Sequence, residues 1–349
     1  MEKRKSKRIY VGNVPMGGGA PITVQSMLNV PADDIERSVF QAKELQTAGC
    51  DIIRAAVPDM NAVKLIYALK DALSVPIVAD IHFDYKLAIE CVSAGVDKIR
   101  INPGNIGGDD RVKAVADACK SAGIPIRIGV NSGSLEKSIL KKYGAPTEEA
   151  LFESAMYHAK LLEKFDFNDL VISLKASDTK KMYGAYMLAA ENCDYPLHLG
   201  VTEAGAGMSA LIKSASGIGG LLLAGIGDTI RVSLTDSPKE EVKAGIELLK
   251  AIGEREGGVR IVSCPTCGRT QIDLIGLANK VEKQLENCKK NITVAVMGCV
   301  VNGPGEAREA DFGIAGGKGE GLLFKKGEII KKVPEEDLLE ALMDEINKN

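Results

Sequence analysis

The sequence predicts an α/β protein in which a (β/α)8 TIM barrel is followed by a smaller α+β domain. From residue 20 to about 235, one theme recurs: a short β-branched run, a bend rich in Gly, Asn, Pro or Asp, and an amphipathic helical stretch. Eight such runs can be counted, and crossovers of this length join parallel strands. Eight parallel strands indicate a closed barrel, with a doubly wound open sheet as the alternative.

The predicted strands alternate with helical segments such as IERSVFQAKELQTAG and AVKLIYALKDAL. In chain order the strands are PITVQSM, DIIRAAVP, VPIVADIHF, VDKIRINPG, PIRIGVNSG, DLVISLKAS, PLHLGVTEAG and DTIRVSLT. The last barrel helix, SPKEEVKAGIELLKAIG, begins with Ser237 as N-cap and Pro238 at its first position, where a missing N–H costs nothing. The stretch EREGGVR that follows is typical of a linker.

Beyond residue 258 the pattern changes. A strand, VRIVS, is followed by CPTCG, a helix from about Ile272 to Lys290 and a second strand, ITVAVMG. A turn, a Gly-rich stretch and a final helix complete the chain. We therefore predict a barrel domain over residues 1–256 and a second domain over residues 257–349.

Composition and charge exclude several classes of protein. The chain has 349 residues, is 45% hydrophobic and carries a net charge of -3, so a general nucleic-acid surface is not expected. The basic N-terminus, MEKRKSKRIY, precedes no apolar signal region, and no stretch of eighteen apolar residues occurs, so no membrane association is expected. We predict a cytoplasmic protein whose eight cysteines are reduced thiols or metal ligands.

Polar residues two or four positions apart mark the ends of the predicted strands, where barrel active sites form. They are Asp80 and His82, Arg100 and Asn102, Arg127 and Asn131, Ser173, Lys175 and Ser177, His198 and Thr202, and Arg231 and Ser233. Arg54 ends the second strand and Glu203 follows the seventh. If these rows face inward, four arginines and a lysine converge, which predicts an anionic ligand, preferably a phosphate. The stretches GIGG and GIGD fit the usual phosphate position of such barrels.

Three cysteines have the spacing of metal ligands. Cys264 and Cys267 form a C-x2-C pair, and Cys299 adds a third thiol. Structural zinc would need a fourth ligand, for which Cys288 is the nearest thiol, but helical periodicity places Cys288 on a buried apolar stripe. Glu306, just beyond an Asn-Gly-Pro-Gly turn, is the available carboxylate, and three thiolates with one carboxylate favour an iron-sulfur cluster over closed zinc.

These motifs resemble those of the bacterial 4-hydroxy-3-methylbut-2-enyl diphosphate synthases, iron-sulfur enzymes of the methylerythritol phosphate route to isoprenoids. The resemblance covers nearly the whole chain, from VGNVPMGGG and VQSM through RINPGNIG, GVNSGSLE and LGVTEAG to SCPTCGR and GCVVNGPGEA. It implies a [4Fe-4S] cluster held by Cys264, Cys267, Cys299 and Glu306. It also implies reductive opening and dehydroxylation of 2-C-methyl-D-erythritol 2,4-cyclodiphosphate, with two electrons from a flavodoxin or ferredoxin.

The resemblance further assigns site residues and an assembly. It implies diphosphate binding by Arg54, Arg100, Arg127, Lys175, Arg231 and Ser233, with Asn131 nearby, and Asn102 shares the inward row of Arg100. Glu203 is implied as an acid or hydrogen-bonding group, so Glu203 and Glu306 are the candidate catalytic residues. Related enzymes imply a head-to-tail homodimer whose composite active sites set each cluster domain over the partner's barrel.

One departure and two alternatives accompany this interpretation. Where the family commonly reads VQSMTNT, this chain reads VQSMLNV, so no substrate contact is assigned to that loop. A barrel transferase of pterin-binding type with an appended zinc ribbon would keep the strand pattern without a redox cluster. A nucleic-acid-binding ribbon would need a basic surface around CPTCGR, where only Arg260 and Arg269 offer one.

Overall fold

Eight parallel strands close into a barrel in the first of two units, as the sequence predicts. The computed structural model describes residues 3–286, 288–300, 305 and 307–348, and the chain divides into the units Met1–Arg255 and Glu256–Asn349. The barrel strands are β3 (Thr23–Met27), β4 (Ile52–Ala56), β5 (Ile77–Asp80), β6 (Lys98–Ile101), β7 (Ile126–Asn131), β8 (Leu170–Lys175), β9 (His198–Leu199) and β10 (Thr229–Ile230).

The strand order is β8-β7-β6-β5-β4-β3-β10-β9, and every neighbouring pair is parallel. An isolated parallel bridge between Ile172 and Leu197 closes the circle. At this seam the hydroxyl of Tyr186 accepts a hydrogen bond from the backbone N–H of Leu174 and donates one to the carbonyl of His198. A buried side chain thus joins β8 to β9 where the backbone ladder is shortest.

Helices follow the strands and cover the barrel with their apolar faces. They are α1 (Ile35–Thr47), α2 (Val63–Ala72), α3 (Tyr85–Ser93), α4 (Pro103–Ile106), α5 (Asp109–Ala122), α6 (Lys137–Tyr143), α7 (Glu148–Glu163), α8 (Thr179–Asn192), α9 (Gly207–Ser214), α10 (Gly220–Leu223) and α11 (Pro238–Ala251). Polar side chains cap several N-termini, including Asp34, Thr147, Asp178 and the predicted Ser237. Of the four cysteines of this unit, Cys50, Cys91 and Cys119 are buried and Cys193 is half-buried.

A hairpin that the sequence analysis did not predict closes the floor of the barrel. Strands β1 (Ile9–Val11) and β2 (Val14–Met16) pair antiparallel. Their buried side chains pack against Ile52, Val78 and Val171, which begin their strands or lie near the beginning. Since β1 and β2 have only three residues each, the pattern of alternation was too short to be recognised.

Among the residues that the structure describes, the second unit has a mixed five-stranded sheet and two helices. Its elements are β11 (Val259–Ser263), α12 (Leu274–Leu285), β12 (Ile292–Met297), β13 (Phe312–Gly316), β14 (Glu320–Lys325), β15 (Glu328–Pro334) and α13 (Leu338–Lys348). Strands β11, β12 and β13 are parallel, β14 pairs antiparallel with β13, and β15 pairs antiparallel with β14. Its core contains Leu338, Leu342 and Ile346, one buried stripe of α13. Strands β13, β14 and β15 lie where the sequence predicts only a Gly-rich stretch.

No helix in the described part of the chain is long and apolar enough to cross a membrane.

Candidate active site

The barrel registers bring charged side chains of neighbouring strands to one side of the sheet. In the strand register, Arg100 of β6 lies opposite Asp80 of β5 and Arg127 of β7, and Asn131 of β7 lies opposite Lys175 of β8. Residues opposite each other in a parallel ladder point to the same face. Arg127 is 1% exposed, Arg100 is 6% exposed and Lys175 is 8% exposed, so these charges lie inside the barrel rather than on its helix layer. We call the carboxyl end of this interior the mouth.

Asp80 joins two of the arginines. Its Oδ2 lies 3.1 Å from Arg54 Nη2 and its Oδ1 lies 3.0 Å from Arg100 Nη1. The imidazole of His82, which is half exposed, lies 3.4 Å from Oδ2. Burial alone would raise the pKa of Asp80, but Arg54, His82 and Arg100 hold that pKa far below its usual value. Asp80 is therefore an anion that fixes two guanidinium groups.

Arg231 is fixed from a different direction, by the helix that follows its strand. Its Nη2 lies 3.2 Å from Glu241 Oε1, and its Nε donates to Oε2 at 3.3 Å. Glu241 also accepts from the hydroxyl of Ser26 at 3.1 Å and from the backbone N–H of Leu234 at 3.0 Å. Because Glu241 is only 4% exposed, this fork holds Arg231 in one orientation.

Two glycines make room for the cations. A Cβ on Gly129 would lie 2.5 Å from Arg100 Nε, and a Cβ on Gly200 would lie 2.9 Å from Lys175 Nζ. Burial lowers the pKa of Lys175 well below its usual value, and the positive charges of Arg231 and Arg127 lower it further. The mouth therefore concentrates positive charge that a bound anion would stabilise.

The other predicted site residues lie in or next to the loops after the strands. Asn102 is buried and caps α4, its Oδ1 accepting from the N–H of Gly104 at 3.1 Å. Asn131 ends β7 and is half-buried, as is Ser233 after β10. Glu203 is exposed after β9 and has a left-handed backbone, with φ of 53°.

The Gly-rich stretches lie elsewhere than expected. Gly217–Gly220, the GIGG stretch, belongs to a π-helical turn and the start of α10, and Gly217 packs against Met182, Thr179 and Val201. GIGD, residues 225–228, precedes β10 and so lies at the amino end of that strand. The expectation that these stretches bind phosphate at the mouth is wrong, because helix packing and a tight turn explain their glycines.

Sequence reasoning missed three buried polar residues of the barrel. Lys98 is fully buried and lies two residues before Arg100, and Gln25 is 1% exposed on β3. The spacing of two that identified Arg100 also identifies Lys98, so this signal was available. Glu241 had no such signal, since an acidic residue in the first turn of a helix is ordinarily exposed.

In the second unit, two of the predicted metal ligands follow neighbouring parallel strands. Ser263, the last residue of β11, pairs with Val296 of β12, so Cys264 and Cys299 both come after strand ends on one edge of the sheet. The N–H of Gly298 lies 3.2 Å from Cys264 Sγ. Cys264 is half-buried and Cys299 is 8% exposed.

Cys267 lies in the intervening turn. Its N–H donates to Thr270 Oγ1 at 3.2 Å, and hydrogen bonds from Arg269 lower the pKa of its exposed thiol. Cys288, by contrast, packs against the apolar core of the unit, as the helical periodicity predicted.

The donor set fits a thiolate-bound metal centre in chemistry, with soft ligands on adjacent loops. In the described residues, however, no three His, Cys, Asp or Glu side chains lie close enough together to hold a metal ion. The predicted fourth ligand, Glu306, and the turn before it lie outside the described residues.

Comparison with known proteins relates both units to one family. Residues 6–246 match the GcpE TIM-barrel domain and residues 260–348 match the GcpE protein C-terminal domain. A protein of Clostridium perfringens is 59% identical over 98% of both chains, and one of Geobacter sulfurreducens is 56% identical over 99% of this chain and 98% of its own. Both are named 4-hydroxy-3-methylbut-2-en-1-yl diphosphate synthase (flavodoxin).

Solved structures similar to the barrel show the fold alone. A dihydropteroate synthase of Yersinia pestis has a TM-score of 0.52 at 14% identity and covers 70% of this chain and 98% of its own. This likeness confirms the barrel and gives no support to a pterin-binding activity. Because both units match and full-length relatives share more than half of its residues, the chain belongs to the GcpE family.

Proposed function

We propose that the chain is an oxidoreductase that converts 2-C-methyl-D-erythritol 2,4-cyclodiphosphate to 4-hydroxy-3-methylbut-2-enyl diphosphate. The observation that carries this proposal is the barrel mouth with four arginines and a lysine in a chain 59% identical to a synthase of that product. The reaction opens the ring and removes a hydroxyl as water with two electrons. Relatives are named with flavodoxin, and we propose flavodoxin, or a ferredoxin, as the electron donor.

The barrel residues would bind and orient the diphosphate. Among the residues that the structure describes, no carboxylate forms a salt bridge with Lys175 or Arg127, so their charges would fall on the phosphates. Asn131 and Ser233 would add hydrogen bonds. Asp80 and Glu241 would keep Arg54, Arg100 and Arg231 in place before substrate arrives. This preorganisation reduces the entropy lost on binding. Glu203 would donate a proton or a hydrogen bond at the edge of the site.

We infer that Cys264, Cys267, Cys299 and Glu306 hold a [4Fe-4S] cluster. When bound, such a cluster passes electrons to the substrate and offers one iron whose oxygen ligand can exchange. The chain's contribution is to place two thiols after neighbouring strand ends and to hold Cys264 by the N–H of Gly298. We also propose a homodimer with composite sites. We propose a cytoplasmic location as well, because free cysteines, of which the chain has eight, are typical of reducing compartments.

The test is an anaerobic assay with chemically reduced flavodoxin and the cyclodiphosphate. We expect formation of the open-chain diphosphate with consumption of two reduced flavodoxin equivalents per product. A cluster-loaded protein that leaves the cyclodiphosphate intact would refute the substrate. A Lys175→Met variant should keep the cluster spectrum and raise KM about tenfold or more, because a charge-assisted phosphate contact contributes about 1.5 to 3 kcal/mol.

A first prediction concerns the cluster ligands and uses iron analysis rather than activity. Cys264→Ala, Cys267→Ala and Cys299→Ala should each lose the cluster, because each removes a thiolate that water cannot replace. Cys288→Ala is the matched control and should keep the full iron and sulfide content, since the half-buried Cys288 packs against the apolar core. Full iron content in any of the first three variants would contradict the ligand assignment.

A further inference from the structure

The interior of the barrel between its floor and the mouth is polar. Inward side chains of alternate strands form layers of four in such barrels. One layer is formed by residues of β3, β5, β7 and β9, namely Gln25, Val78, Arg127 and His198. The other is formed by residues of β4, β6, β8 and β10, namely Ile52, Lys98, Val171 and Thr229. We call these eight residues the lower layers. Ile52, Val78 and Val171 pack against the floor hairpin, and Lys98 precedes the mouth residue Arg100 by two positions.

Four side chains of the lower layers are buried and lack hydrogen-bond partners. Within the described part of the chain, no hydrogen bond is formed by the amide oxygen or nitrogen of Gln25, Lys98 Nζ, Arg127 Nε and Nη1, or either ring nitrogen of His198. None of the four residues is more than 1% exposed. Buried polar groups without a hydrogen bond are unfavourable and rare, so seven such atoms in one region indicate a ligand that they share.

The charges of the lower layers are equally uncompensated. Burial lowers the pKa of Lys98 well below its usual value, and the charges that add to this effect, Arg127 and Arg54, are both positive. Asp80 is the carboxylate that favours the charged form of Arg127, yet it is already paired with Arg54 and Arg100. A guanidinium cannot release its proton, so Arg127 stays charged. The lower layers therefore contain donors and positive charge without an anion.

We propose that the lower layers form an internal site for a small monovalent inorganic anion of the chloride class. Lys98, Arg127 and the amide of Gln25 would donate to it. His198, whose pKa is lowered by burial and by Arg127, would donate through the single N–H of its neutral ring. Water could satisfy the hydrogen bonds but would leave the positive charge uncompensated. The site shares Arg127 with the substrate proposal but not Lys98, Gln25 or His198, so variants of Lys98 and Gln25 test it separately from substrate binding.

The experiment measures thermal unfolding of the full chain while chloride replaces gluconate at constant ionic strength. Inorganic pyrophosphate at a saturating concentration occupies the mouth throughout. The wild-type Tm should rise with chloride and saturate, as expected for a ligand that binds the folded state. Lys98→Met should weaken the apparent chloride affinity about tenfold or more, because a charge-assisted contact is lost. Lys175→Met, a mouth variant, should respond to chloride as the wild type does.

A second variant and a second measurement make the test decisive. Gln25→Leu preserves volume and charge, removes one donor, and should weaken chloride affinity by about threefold to tenfold even if Lys98→Met fails to fold. Crystals soaked in bromide should give an anomalous peak in contact with Lys98 Nζ. The proposal is overturned by a wild-type Tm that ignores chloride, by an equal response in Lys98→Met, or by bromide bound only at the mouth.

Discussion

Asp80 illustrates how one residue can organise a cationic site before any ligand binds. Its carboxylate contacts Arg54 and Arg100 at 3.1 and 3.0 Å while only 1% of its surface is exposed. Breaking a buried ion pair by removing one partner leaves the other charge without compensation. Glu241 has the same relation to Arg231, which follows β10. The mouth therefore depends on two carboxylates that need not touch the substrate.

We predict that Asp80→Asn lowers the free energy of unfolding by about 3 to 5 kcal/mol, because two buried guanidinium groups lose their counter-charge. Urea unfolding followed by circular dichroism measures this change. Asp117→Asn is the matched control, since Asp117 is half exposed and, within the described residues, forms a salt bridge only with the exposed Lys113. The control should change stability by about 1 kcal/mol or less. Equal effects in both variants would contradict the central role of Asp80.

The stability difference between wild type and Asp80→Asn should also depend on pH. The folded pKa of Asp80 lies below the ordinary value of 3.8, so its ionised form stabilises the fold above that pH. As the pH falls below 3.8 toward the folded pKa, this contribution is lost. The two unfolding free energies should therefore converge as the pH falls from 5 to about 2. A constant difference over this range would show that Asp80 is not the titrating group.

At the scale of the element, strand β7 positions Arg100 through a glycine. We predict that Gly129→Ala displaces Arg100, because a Cβ would lie 2.5 Å from its Nε, and raises KM for the cyclodiphosphate about tenfold. KM is measured at full cluster loading. Gly133→Ala, in the turn after β7, is the control, since its Cβ would meet no atom within 4 Å. An unchanged KM in Gly129→Ala would mean that Arg100 does not contact substrate.

The floor hairpin should contribute to the stability of the barrel, because its buried side chains cover the bases of the strands. Met16 is fully buried against the bases of the strands. We predict that Met16→Ala lowers the free energy of unfolding by about 2 to 5 kcal/mol, the usual cost of a cavity in a core. Tyr10→Ala, on the exposed side of the same hairpin, should change it by about 0.5 kcal/mol or less. Chemical unfolding of both variants compares them directly, and similar losses would show that the hairpin does not seal the floor.

At the scale of the whole molecule, the proposed homodimer has a test in mixed subunits. We predict that a barrel variant, Lys175→Ala with Arg127→Ala, and a cluster variant, Cys299→Ala, regain activity when their subunits exchange. Random exchange of equal amounts makes half of the dimers mixed, each with one intact composite site, so activity should approach roughly a quarter of wild type. If activity stays absent after exchange verified by mass spectrometry, each site is built within one chain.

The sequence by itself determined the barrel and the composition of its mouth. Strand-helix alternation over eight repeats leaves few topologies, and a spacing of two identified Arg100, Arg127 and Lys175 as residues of one face. It could not distinguish a phosphate loop from a packing glycine, so GIGG and GIGD were misread. It also missed β14 and β15, whose two-residue turn, Lys326-Gly327, has positive φ at both positions without the usual Asn or Asp.

Only the tertiary structure decided which charges are compensated. The strand register brings Asp80 between Arg54 and Arg100, and the packing of α11 on β3 brings Glu241 to Arg231 and Ser26. Neither pairing follows from local spacing, because the partners lie on different elements. The same fold leaves polar atoms of Lys98, Arg127, Gln25 and His198 buried without a hydrogen-bond partner among the residues that the structure describes. Local sequence sets which face a side chain takes, and the closure of the sheet sets what it meets there.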